Sequence, residues 1–170
     1  MAQTHSKDRP RNPTLAEYRT KYPTEAAQFE RQLRGELPQG WDANLPAYTA
    51  DDKGLATRQH SYNCLNAIGP NLPELIGGSA DLTHSNLTDI KGEKGFQKGA
   101  EANRYLHFGV REHAMGSIAV GMALHGGVLP VVGTFFVFAD YMRPALRLAA
   151  LSRAKVIFVF ALQLPNVYLV

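Results

Sequence analysis

Residues 105–139 read YLHFGVREHAMGSIAVGMALHGGVLPVVGTFFVFA, and this stretch decides the fold. Two runs within it, 105–110 and 128–134, are predominantly apolar instead of alternating with polar residues. That is the pattern of strands covered on both faces. Between them, residues 112–124 carry small and apolar side chains over a helical length. No Asp, Glu, Lys or Arg stands from His113 to Ala139, so the stretch also has to be weighed as a membrane span. His125-Gly126-Gly127 and Pro130 break it into pieces that suit a buried helix and a strand better than a crossing.

Working outward, residues 74–79 form a short apolar run closed by Gly77-Gly78, and residues 156–160 form another. Helical patterns at 56–68, stopped by Gly69-Pro70, and at 138–152 alternate with these strands. The fold class expected is therefore α/β, a parallel sheet with helices on both faces. The first fifty-odd residues differ in texture, being polar and punctuated by proline. Helices are expected at 15–21 and 25–34, the second capped by Thr24 and stopped by Gly35. An extended linker follows from Leu37 through Tyr48, in which Trp41 is expected to pack rather than act. A helical and extended segment over 1–54 thus precedes a domain over 55–170.

Composition narrows the function. With 170 residues and 45% hydrophobic content the chain can bury roughly 70% of its unfolded surface, which suits one globular domain. The net charge of +3 comes from signs mixed along the chain, so no counterion-releasing surface for nucleic acid is expected. Lys91, Lys94 and Lys98 sit among glycines and read as a solvated loop. The single Cys64 rules out an internal disulfide framework and suits a reducing compartment. Residues 2–13 have no apolar core for a secretory signal. No nucleic-acid or membrane partner is expected.

Ligands of parallel sheets collect beyond the carboxyl ends of strands, so the segments after each run matter most. Gly77-Gly78-Ser79-Ala80-Asp81 lacks the glycine and lysine placements of dinucleotide and triphosphate loops. Its Asp81 suits either a helix cap or a ligand wall, and residues 83–88 read as a polar loop or turn. Glu112 opens the charge-free helix, where the helix dipole favours a carboxylate. Ala, Met, Gly and Ser follow it, a small-residue face on which another surface can pack closely. A glutamate desolvated at such an interface has its pKa raised and can trade a proton near neutrality. Phe135, Phe138 and Tyr141 recur every third residue, the spacing of one side of a helical turn. Such a stripe serves a core, or a flat heteroaromatic ring. Asp140, Arg143 and Arg147 read as a solvated face. No second His or Cys stands at metal spacing, so no metal site is expected within the chain.

Taken together, Tyr105 through Gly116, Gly77-Gly78-Ser79-Ala80-Asp81-Leu82-Thr83, Ala56-Thr57-Arg58 and Gly133 through Tyr141 resemble the transketolase family. The resemblance runs from about residue 14 to about residue 160 and is closer than that to deoxyxylulose-phosphate synthases or ketoacid dehydrogenase components. It implies the pyrimidine domain of a thiamine diphosphate enzyme that moves two-carbon ketol units between sugar phosphates. By this resemblance Glu112 protonates the aminopyrimidine ring nitrogen, and Phe135, Phe138 and Tyr141 form the pocket for that ring. Asp81 and Leu82 lie near the thiazolium, and Arg58 and Ser85 hold the substrate phosphate. A divalent metal, magnesium, is expected on a separate diphosphate-binding domain, supplied by a second copy or a partner chain. The location implied is cytoplasmic, with a plastid left open.

Nothing in the sequence corresponds to that other domain, and residues 161–170 replace the substrate-binding loop that the resemblance leads one to expect. The chain thus reads as truncated at both ends. Its alternative role is a catalytically silent module docking on full-length transketolase.

Overall fold

The computed structural model describes residues 15–162. Residues 2–13 and the last eight residues of the 161–170 segment, read above from sequence, lie outside them.

The sheet has four strands, all parallel, in the order β2-β1-β3-β4. These are β1 (Leu75–Ser79), β2 (Tyr105–His107), β3 (Leu129–Phe135) and β4 (Ile157–Ala161). Central strand β1 pairs Gly77 with Tyr105 on one side and with Val131 on the other. The core falls into two clusters, as a sheet covered on both faces requires. Ala80, Phe108, Met115, Ala119, Val132, Met142 and Ala145 form one, against helices α5 (Glu112–His125) and α6 (Ala139–Leu151). Leu65, Leu72, Leu75, Ile90 and Val131 form the other, under helix α3 (Thr57–Ile68), with Trp41 packed on its rim. Adjacent residues Val131 and Val132 thus serve opposite layers, the period-two alternation of a strand.

Boundaries moved where backbone geometry outweighed side-chain pattern. The run expected at 105–110 keeps only three residues of strand. Gly109, at φ +64°, turns the chain, and Arg111 donates its N–H to the Gly109 carbonyl at 2.8 Å. Helices α1 (Leu15–Lys21) and α2 (Pro23–Leu33) form as expected, but Thr24 caps nothing. Pro23 takes the first helical position, where its missing N–H is no loss, and Thr24 falls inside the first turn. At the other end Gly35, at φ +67°, stops α2. The Glu36 amide reaches Arg31 O and the Gly35 amide reaches Gln32 O, which satisfies two last-turn carbonyls.

Helix α2 is tied to the sheet by one ion pair. Arg31 donates to both oxygens of Glu74, at 2.7 and 3.0 Å, just before β1 begins, and also to the Glu36 carbonyl at 2.6 Å. Both side chains are largely buried, at 17% and 6% exposed. Burial alone raises the Glu74 carboxyl, but the hydrogen bond and charge of Arg31 outweigh it and hold the group below the usual carboxylate range. Removing Arg31 strands that charge, so Arg31→Met is expected to destabilise the chain by about 3–5 kcal/mol at neutral pH. A depressed folded-state pKa gives stability that is present above the unfolded value, about 4.3, and lost as pH falls through the folded one. Thermal melts of wild type and variant should therefore converge on acidification below that value. A gap that persists unchanged at low pH counts against the pair.

Candidate active site

The loops at the carboxyl ends of β1, β2 and β3 meet around a cavity of about 490 Å³ lined by Ala80, Asp81, Leu82, Val110, Glu112, Phe138 and Tyr141. Each strand end contributes by a different local device. After β1, Asp81 adopts a left-handed backbone (φ +64°), a conformation Asp tolerates better than most residues. After β2, the turn at Gly109 leads into α5, whose first residue is Glu112. After β3, a 3-10 turn over Phe136–Phe138 leads into α6.

Glu112 is 8% exposed and, among the described residues, makes no side-chain hydrogen bond or ion pair. The residue is buried as a whole, while its carboxylate is not closed off and borders the cavity. Its protein-side support is the positive N-terminal end of α5. What it faces is the cavity it shares with the Phe138 and Tyr141 rings, whose centroids lie 6.3 Å apart at a 31° tilt. The site therefore offers an acid and two aromatic walls to one guest.

Phe135 stands apart from that pair. It ends β3 in extended conformation, is 5% exposed and contributes no surface to the cavity. The three-residue spacing is helical only from Phe136 onward, so it aligns Phe138 with Tyr141 and does not carry back across the strand end. Asp81 is exposed and is no helix cap, because Leu82 occupies that position before the single turn of α4 (Thr83–Asn86).

A second, open cleft of about 500 Å³ adjoins the first, lined among others by Asp81, Leu82, His84, Ser85, Lys91 and His107. Asp81 and Leu82 border both spaces. Arg58, from the first turn of α3, donates to the Ser85 carbonyl at 3.4 Å, which brings together the two residues expected to hold a phosphate. Lys91, Lys94 and Lys98 are exposed, with Lys91 over the Tyr62 ring at 5.5 Å. Arg143 meets Asp140 at 3.3 Å on an exposed face, as expected of that triplet.

Ala80 and Val110 complete the first cavity without any chemical signature in the sequence. Sequence reasoning also missed the burial of Asn86 and Thr88, 0% and 6% exposed, inside what reads as a polar loop. Beside them Tyr105 is buried, and burial pushes its phenol up against the opposing hydrogen bonds of Thr83 and Thr88. Among the described residues no group of three or more His, Cys, Asp or Glu is placed to hold a metal, and no helix is long and apolar enough to cross a membrane.

Residues 53–164 match the family model described as transketolase, pyrimidine binding domain. Transketolase of Nostoc sp. is 61% identical over 149 residues, which is 87% of this chain and 22% of that protein. A chloroplastic transketolase of Craterostigma plantagineum is 52% identical, over 87% of this chain and 29% of the relative. Among solved structures, transketolase of Pichia stipitis in complex with sedoheptulose 7-phosphate superposes with a TM-score of 0.81 at 46% identity, over 85% of this chain and 22% of that one. Transketolase of Leishmania mexicana gives 0.80 at 46% identity, over 85% and 21%. The chain thus spans about a fifth to three-tenths of the length of these proteins.

Proposed function

This chain belongs to the transketolase family, and we propose that it supplies the pyrimidine-binding half of a thiamine diphosphate site for transfer of two-carbon ketol units between sugar phosphates. The observation that carries this reading is Glu112, 8% exposed and without a side-chain hydrogen bond among the described residues, on the wall of a cavity bordered by Phe138 and Tyr141. The residues present fit the group: an aminopyrimidine needs an acid at its ring nitrogen and aromatic faces against its ring, and the cavity has both. When bound, the cofactor supplies the carbanion chemistry.

The chain's own residues have narrower tasks. Glu112 holds a proton on its carboxyl oxygen for the ring nitrogen and takes it back, the exchange a buried acid at a helix start is placed to make. Phe138 and Tyr141 orient the ring and exclude water, and Phe135 closes the strand from which the turn carrying Phe138 starts. Leu82 and Asp81 bound the cavity on the β1 side, toward the thiazolium. Arg58 offers a planar fork of N–H donors suited to a phosphate, beside Ser85. The diphosphate and its magnesium fall to a separate domain, on a second copy of the chain or on a partner.

That partner has a surface to meet. Val110 and Tyr141, at 76% and 66% exposed, are large apolar side chains on the cavity wall, and Val137 and Phe136, at 71% and 58%, stand in the turn that leads to Phe138. Large apolar side chains left exposed beside a cavity suit an interaction surface. The identity levels favour a transketolase-like chain over a silent docking module. We take the domain to begin near residue 55 and the compartment to be cytoplasm or plastid, the latter because relatives from Zea mays and Arabidopsis thaliana are named chloroplastic.

The test is calorimetric titration of thiamine diphosphate with magnesium into the chain alone, then into the chain with a separately expressed diphosphate-binding domain of the Nostoc relative. Saturable binding only with both partners present, accompanied by ketol transfer to an aldose phosphate, is the expected result. Absence of binding in both arms overturns the reading.

A further inference from the structure

The wall shared by the two cavities is held from behind by a chain of buried polar groups. Ser79, the last residue of β1, is 1% exposed, and its Oγ accepts the Leu82 amide at 3.2 Å and the Asn86 Nδ2 at 2.9 Å. The Oδ1 of Asn86 accepts the Thr88 hydroxyl at 2.8 Å. Thr88 Oγ1 lies 3.5 Å from the Tyr105 hydroxyl on β2, which in turn lies 2.5 Å from Thr83 Oγ1. The chain thus leaves the segment at Leu82 and returns to it at Thr83, having crossed from the end of one strand to its neighbour.

Two features show that this segment needs holding. Asp81 and Leu87, at φ +64° and +56°, bracket the single helical turn in left-handed conformations that non-glycine residues disfavour. Such residues persist only where surrounding structure over-determines them. The turn between them is also too short to be stable by its own hydrogen bonds. The determining group is Asn86, which is 0% exposed and whose amide donates from Nδ2 to Ser79 and accepts at Oδ1 from Thr88.

We propose that Asn86 is a positioning residue: by bridging Ser79 and Thr88 it fixes the 81–87 segment, and through it the Asp81–Leu82 wall of one cavity and the Ser85 side of the other together. This rests on the proposed thiamine diphosphate site for its functional consequence, though not for its structural one. A single buried amide then sets two bindings at once. Substitution should weaken cofactor binding on one side of the wall and sugar-phosphate binding on the other.

The test uses the full chain together with the diphosphate-binding domain. Asn86→Ala is expected to raise the thiamine diphosphate Kd and the KM for the aldose phosphate by tenfold or more each. Arg31→Met weakens the fold at the opposite end of β1 and should leave both constants unchanged, a control that lost stability alone does not explain the effect. Hydrogen exchange on the full chain supplies the second arm. The Leu82 amide should exchange at least tenfold faster in Asn86→Ala when referenced to amides of β3. If Asn86→Ala does not fold, Thr88→Val, which removes the hydroxyl's contacts with Asn86 and Tyr105 at constant shape, should reproduce the Leu82 effect. Unchanged Leu82 exchange relative to β3, or equal loss of binding in Arg31→Met, overturns the proposal. If wild type binds no thiamine diphosphate, the proposed function has failed, and the exchange arm still decides the role of Asn86.

Discussion

A chain carrying Gly77→Ala is expected not to fold. A Cβ on Gly77 falls 1.6 Å from the Val131 carbonyl oxygen, and one on Gly78 falls 1.9 Å from that of Leu106. These are backbone atoms of the two strands flanking β1, so no rotamer change relieves the overlap. Retreat is blocked as well, because β1 is hydrogen-bonded on both sides and moving it from one neighbour drives it into the other. The effect should exceed about 4 kcal/mol, the range reserved for strongly disruptive substitutions. A domain of this size has only about 5–15 kcal/mol to lose. Far-UV circular dichroism and soluble yield read the outcome. Gly121→Ala is the contrasting case: its Cβ meets nothing within 4 Å, on the exposed side of α5. It should stabilise the chain by about 0.5–1 kcal/mol, the helix-interior difference between the two residues. A Gly77→Ala chain that melts cooperatively near the wild-type temperature would sink this account of the sheet.

The second large effect concerns chemistry and leaves the fold alone. Glu112→Gln preserves shape and polarity and removes the exchangeable acid, so in the chain assembled with a diphosphate-binding domain ketol transfer should fall by about 10²–10⁴-fold, the usual contribution of a positioned acid or base. Thermal stability should change by no more than a few degrees. The carboxylate has no hydrogen-bonding partner to lose among the described residues, and the helix N-terminus interacts only modestly with it. Reading kcat/KM and Tm on the same preparation separates the two. Turnover within tenfold of wild type would remove Glu112 from the role assigned to it.

How much of this was legible beforehand follows from what kind of force fixes each feature. The four strands and the charge-free helix were readable because burial on both faces leaves a continuous apolar run, a signal independent of neighbours. The strand ends were less so. Gly109 cut β2 short by adopting a left-handed turn, which apolar content at Phe108 and Val110 does not report. Pro23 displaced Thr24 from its expected cap by preorganising the first turn. Phe135 was aligned with Phe138 on spacing that assumes a helix, whereas the chain is still extended at that residue. Asn86 and Thr88 were invisible in principle: a buried polar network and a solvated loop have the same composition, and only long-range placement of Ser79 and Tyr105 tells them apart. The candidate acid was legible as a residue, but its lack of a protein partner was not.

The packing of α5 on α6 constrains the site from a distance. A Cβ at Gly116 would meet the Met142 side chain and Ala145 Cβ at 2.7–2.9 Å, so side chains of α6 lie directly against the backbone of α5 there. Glu112 opens the first of these helices and Tyr141 lies in the first turn of the second. Acid and ring therefore ride on one stiff two-helix lever, and whatever docks against the open side must move them jointly or not at all. Their separation is calibrated by a hydrogen atom, the missing side chain of a glycine that touches neither.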